Sequence, residues 1–140
     1  MIFLGLSLTA LFLSIGLLHV YWALAGTGQS SAVIPSQDGQ LSFVPTPTQT
    51  ILVALGLFMS ALIVLGTAVS FWRFGLPLWL FKVGLCGLTL IFTLRAIGDF
   101  HWVGFFKSVR HTPFARNDTW FYSPLCAGIA VGCAVLSILS

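Results

Sequence analysis

Residues Pro47–Trp72 read PTQTILVALGLFMSALIVLGTAVSFW and carry no charged side chain. A helix needs about 20 apolar residues to cross the hydrocarbon core of a bilayer, and this run supplies them. Its start carries a helix signature. Thr46 stands at the cap, Pro47 at the first helical position, and Gln49 three residues after the cap, which is a capping-box pattern. The run therefore reads as a membrane-spanning helix over about 47–72.

Three companions flank it, over about 2–25, 76–99 and 123–139, each long enough to span. The turn from Phe71 to Leu76, with Arg73 and Gly75, makes the second and third helices antiparallel neighbours. Ser123-Pro124 repeats the cap-then-proline start for the fourth. Ala23-Leu24-Ala25 fits a signal-peptidase site. However, no Lys or Arg precedes the first apolar run, and that run exceeds the usual ~7–15 residues, so it is expected to stay as a helix. The chain is 58% hydrophobic and 6% charged, with a mean hydropathy of +1.04, far from the roughly one quarter charged of soluble domains. The expectation is one domain over 1–140, an all-α integral membrane four-helix bundle.

Between the first two helices, the small and polar stretch from Gly26 to Pro45 holds Asp38-Gly39, a turn signal. Ala32-Val33-Ile34 and Leu41-Ser42-Phe43-Val44 flank it, so either a small hairpin over the bundle or an unstructured loop fits. The pairs Gly128-x-x-x-Gly132 and Gly56-x-x-x-Ser60 give small faces for helix packing inside the bundle.

Six of the nine charged residues crowd into Arg95–Tyr122, RAIGDFHWVGFFKSVRHTPFARNDTWFY. Trp102, Val103, Phe105, Phe106 and Val109 recur at helical spacing opposite His101, Lys107, Ser108 and His111. That pattern predicts a short interfacial amphipathic helix over about 100–111, ended by Thr112-Pro113. Lys107, Arg110 and Arg116 are candidates for lipid headgroups, or simple positive-inside anchors. By the positive-inside rule the first and third loops face the cytoplasm, in the inner membrane, with both termini outside. A net charge of +3 on six basic residues argues against nucleic acid as a partner.

Ionisable residues near a membrane core are candidates for function. Arg95 and Asp99 are spaced i,i+4 and so share a helix face, which predicts an ion pair. His19 and Trp22 end the first helix and Tyr122 begins the fourth, so His19, Trp22, Arg95, Asp99 and Tyr122 converge on one membrane face. His19 is either a hydrogen-bonded core histidine or a proton carrier or ligand. Cys86, Cys126 and Cys133 lie in apolar runs, are odd in number, and read as small core residues. With no CxxC, HExxH, phosphate loop or nucleophile elbow, no metal site is expected, and no cofactor is named.

His19-Val20-Tyr21-Trp22, Arg95-Ala96-Ile97-Gly98-Asp99-Phe100, Val103-Gly104-Phe105-Phe106-Lys107, Phe114-Ala115-Arg116 with Asp118-Thr119, and Tyr122-Ser123-Pro124-Leu125-Cys126 together resemble an uncharacterised bacterial family. It is domain of unknown function 3995, whose members are small four-helix membrane proteins. The resemblance covers nearly the whole chain and implies that the first helix is retained; it implies no activity. The leading expectation is a protein that binds a lipid- or quinone-like amphiphile between helices one, three and four. Arg95 would meet the head, Asp99 would orient Arg95, and His19 and Tyr122 would hydrogen-bond. The alternatives are a membrane enzyme using His19 or Asp99 as acid/base, or an accessory subunit of a larger membrane complex. A homo-oligomer is compatible with each.

Overall fold

The computed structural model describes residues 1–26, 31–38 and 40–140. Four helices are long and apolar enough to cross a membrane: α1 Ile2–Ala25, α2 Pro47–Ala68, α3 Leu78–Ile97 and α4 Pro113–Leu139. The chain is an all-α membrane protein.

The start of α2 is the expected capping box. Gln49 N donates to Thr46 Oγ1 at 3.3 Å, and Thr46 N donates to Gln49 Oε1 at 2.9 Å. The helix stops at Ala68, short of Trp72, and a 3₁₀ turn follows over Ser70–Arg73. Arg73 folds back, its Nε donating to Gly66 O at 2.9 Å and its Nη2 to Thr67 O at 3.4 Å. A cation at a helix C-terminus satisfies carbonyls that have no partner within the helix.

The fourth helix departs most from expectation. It begins ten residues early, where Thr112 Oγ1 accepts from Ala115 N at 3.1 Å and Pro113 takes the first turn. Thr112-Pro113 therefore opens a helix; the sequence reading had it closing one. Ser123-Pro124 lies inside the helix, after a π-turn over Asp118–Tyr122. Proline has no N–H to continue an α ladder, and a wider turn next to it absorbs the break.

The expected amphipathic helix over 100–111 is absent, and the segment is a compact irregular loop. Gly98 (φ 94°), Phe100 (φ 62°) and Gly104 (φ 89°) sit in left-handed conformations that a right-handed helix cannot use. Phe105 N donates to Ala96 O at 2.8 Å, folding the loop back onto the end of α3. Gly98 and Gly104 approach so closely that a Cβ on either would collide with backbone.

In the first loop a short antiparallel pair forms, β1 Ser36–Gln37 with β2 Gln40–Leu41, Ser36 opposite Leu41. The hairpin exists, but its strands lie between the two stretches expected and share only Leu41 with them, and Ala32-Val33 is a turn. Asp38 of the turn signal has φ 52°, while Gly39 lies outside the described residues. Ile34, Pro35 and Ser36 are buried, so this arm packs down on the bundle.

Helix α1 packs mainly on α2 and α3 mainly on α4, with α2–α3 the chief link between the pairs. The core joins Leu8 and Phe12 to Leu57, Val64, Leu85 and Ile129. Of the small-residue faces, Ser60 and Gly132 turn inward, Gly132 against Leu8, whereas a Cβ on Gly56 or Gly128 would meet nothing. Several hydroxyls in the spans are internally satisfied. Thr9, Ser60, Thr67 and Thr89 each donate to the carbonyl four residues earlier, the usual fate of such groups in helices.

Candidate functional site

At the end of α3, Arg95 finds a different partner from the one its spacing predicts. Its Nη2 donates to Asp118 Oδ1 at 2.9 Å, across to the π-turn of α4. The other carboxylate oxygen accepts from Lys107 Nζ at 3.0 Å, Gly104 N at 2.8 Å and Ser123 Oγ at 3.1 Å. Asp118 and the Lys107 side chain are both 0% exposed. The π-turn makes this possible, because its wider spacing lets Ser123 reach back five residues to Asp118.

Lys107 is thus no headgroup ligand. Its ammonium spends all three donors inside the protein, on Gly104 O at 2.9 Å, Asp118 Oδ2, and Thr119 Oγ1 at 2.7 Å. Arg110 and Arg116 remain exposed. Exposed Phe100, Phe106 and Trp120 stand at the same end.

Asp99 does not pair with Arg95. Its Oδ1 accepts from the backbone N–H of His101 at 2.9 Å, Trp102 at 2.7 Å and Val103 at 3.0 Å. Slight burial pushes its pKa up, but the N–H groups of Val103, His101 and Trp102 outweigh this and hold the carboxyl below its ordinary value. Asp99 shapes the loop on which Gly104 and Lys107 reach Asp118. Sequence reasoning missed Asp118, for which Ser123 was a signal: a hydroxyl five residues on, able to reach the carboxylate across a wider turn.

The charges of the buried cluster do not cancel. Arg95 and Lys107 bring two positive charges against the one of Asp118. Arg95 Nη1 is shielded and hydrogen-bonds no described residue, while the side chain as a whole keeps 32% exposure. Arg95 lines a cavity of about 380 Å³ between the four helices, together with His19, Trp22, Phe92, Phe114 and Tyr122. Four of the five residues expected at the site therefore meet there; Asp99 is not among the lining residues. Of the two acid/base candidates, His19 or Asp99, only His19 lines this cavity.

His19 Nδ1 donates to Ile15 O at 2.8 Å. A carbonyl only accepts, so Nδ1 carries a proton, and in the neutral ring Nε2 is the acceptor. Trp22 packs edge-on against this ring at 5.1 Å. Tyr122 Oη and Asn117 Nδ2 each donate to Ala32 O at 3.2 Å, fastening the first loop over α4. A second cavity of about 340 Å³ lies under that loop and shares His19, Trp22, Val33 and Val53 with the first. Cavities of this size, apolar with a few placed polar groups, are typical of small-molecule sites. Among the described residues no three His, Cys, Asp or Glu side chains gather as a metal site would require.

A family model described as "Protein of unknown function (DUF3995)" matches residues 12–133. The match takes in His19, the Arg95–Lys107–Asp118 cluster and the cavity wall, and the chain belongs to this family. No curated protein and no solved structure matches it.

Proposed function

We propose that this DUF3995 protein is a membrane binding protein that holds a lipid- or quinone-like amphiphile in the cavity between its four helices, polar head toward Arg95. One observation carries the reading. Arg95 lines an apolar cavity, holds a guanidinium nitrogen with no hydrogen-bond partner among the described residues, and belongs to a cluster with one positive charge in excess. Nη1 is shielded in the present packing, so a ligand acceptor would reach it once the part-exposed side chain turns toward the cavity, recovering the cost of an unmade hydrogen bond. His19 Nε2 would supply an acceptor and Trp22 an apolar wall. Exposed Arg110 and Arg116 would sit among headgroup phosphates, anchoring this end at the cytoplasmic face of the inner membrane.

Native mass spectrometry of gently extracted protein tests the reading, paired with lipid extraction. Wild-type protein should carry an amphiphile adduct. Arg95→Lys keeps a cation for Asp118 but loses the planar fork that grips an oxyanion. It should retain the fold and carry roughly tenfold less ligand, the equivalent of about one charge-assisted hydrogen bond. Equal ligand content in the two proteins would refute the reading.

A further inference from the structure

Resting on that binding reading, we infer that the cavity admits its ligand sideways from the bilayer between α1 and α4, and selects a singly charged head with the start of one acyl chain, the rest of which trails into the lipid.

The route follows from how α1 and α4 diverge. Toward the Arg73 end they are closed: Gly132 lies against Leu8, and Gly5 lies within reach of Leu136. Toward the third loop the same two helices stand apart and become cavity wall. There Leu18 on α1 and Phe121 on α4 both line the cavity, yet they are 42% and 62% exposed. A side chain that is at once cavity lining and outer surface marks an opening; Val53 on α2, 50% exposed, lines this cavity and the one under the first loop and so marks where those two cavities meet, which leaves the α1–α4 gap as the way to the bilayer. Both residues lie on membrane-spanning helices, so the opening faces lipid chains.

The head is fixed by charge and by volume. One positive charge is left over in the Arg95–Asp118–Lys107 cluster. A single negative charge brings the desolvated site to neutrality, whereas two would leave a net anion in a low-dielectric cavity. At about 380 Å³ the cavity is near the lower end of the range for ligand pockets. It suits a head and the first part of one chain, with the remainder lying between Leu18 and Phe121. A carboxylate on a fatty acid and a phosphodiester on a glycerolipid share this chemistry.

Photolabelling tests it on the full chain in phosphatidylcholine nanodiscs. Three probes each carry a diazirine midway along an acyl chain: a fatty acid above its pKa, a phosphatidylglycerol, and a phosphatidylcholine. At least one anionic probe should label the peptides holding Leu18 and Phe121 about tenfold more than the zwitterionic one. The stronger anionic probe then identifies the source of the head. Arg95→Leu should bring labelling down to the zwitterionic level. Leu18→Trp, which fills the opening and leaves Arg95 in place, should lower labelling at Phe121. Arg95-dependent labelling confined to inner residues such as Phe92 and Ile129 would overturn the sideways seat while the binding reading stands. Equal labelling by all three probes at Leu18 and Phe121 would overturn the charge selection. No Arg95-dependent labelling anywhere would sink the binding reading itself.

Discussion

Replacing Asp118 by leucine removes the anion that Arg95 and Lys107 share. Asp118 is fully buried and takes four hydrogen bonds, at 2.8 to 3.1 Å. Without it Lys107, also buried, keeps Gly104 O and Thr119 Oγ1 but has no counter-charge. Breaking a buried pair in this way costs about 3–5 kcal/mol. Lys107→Met is milder, because the carboxylate keeps Arg95, Gly104 N and Ser123, and losing one charged hydrogen bond costs about 1.5–3 kcal/mol. The double variant buries neither charge. It should therefore be more stable than the two single losses added together by about 1–3 kcal/mol, the range for directly contacting residues. Unfolding of the purified protein by SDS titration, followed by circular dichroism, measures all three. Losses that add to within about 0.5 kcal/mol would show the pair to be uncoupled and would remove the cluster from the account of this fold.

Gly104→Ala should destabilise by about 1–3 kcal/mol or more, since φ 89° is strained for alanine and its Cβ would meet the Ile97 carbonyl; Gly128→Ala, with open space around it, should leave thermal melting unchanged. The lowered pKa of Asp99 means that the unfolded chain binds its proton first as pH falls, so its contribution is complete above the ordinary value of 3.8 and is lost as pH drops through the lower folded value. Melting curves of Asp99→Asn should accordingly lack part of the acid-side loss seen in wild type, and identical acid limbs would contradict this. The proposed orientation, first and third loops cytoplasmic, is tested by Ser42→Cys and Ser108→Cys, both at exposed sites; each should resist an impermeant thiol reagent in intact cells of a cysteine-free background, and strong labelling at both would reverse the orientation.

The four spans were legible because hydropathy over twenty residues is a sum, and single misjudged positions do not change it. The Thr46 box was legible because every group in it lies within four residues. The polar cluster was only half legible. Convergence of His19, Trp22, Arg95 and Tyr122 follows from counting membrane crossings. Which carboxylate meets Arg95 does not, because i,i+4 spacing favours Asp99 only while the helix continues, and it ends at Ile97. Gly98 and Gly104 were the available warning, since a helix over 100–111 would carry Gly104 in its middle. The aromatic spacing misled because at a membrane surface a loop can expose Phe and Trp as readily as a helix buries them. The π-turn had a weaker sign, Pro124 standing just after the aromatic run Trp120-Phe121-Tyr122.

The placement of Asp118 has a consequence for the order of assembly. A chain made from its N-terminus delivers Arg95 and then Lys107 well before residue 118 has been synthesised. Until the fourth span arrives, both cations must linger at the water-facing margin, where neither burial nor pairing is demanded of them. The carboxylate comes last, at the head of the final span, and in the folded chain both cations lie on it. The third loop therefore depends on the last helix: Arg95 and Lys107 meet their shared carboxylate only once residue 118 is in place.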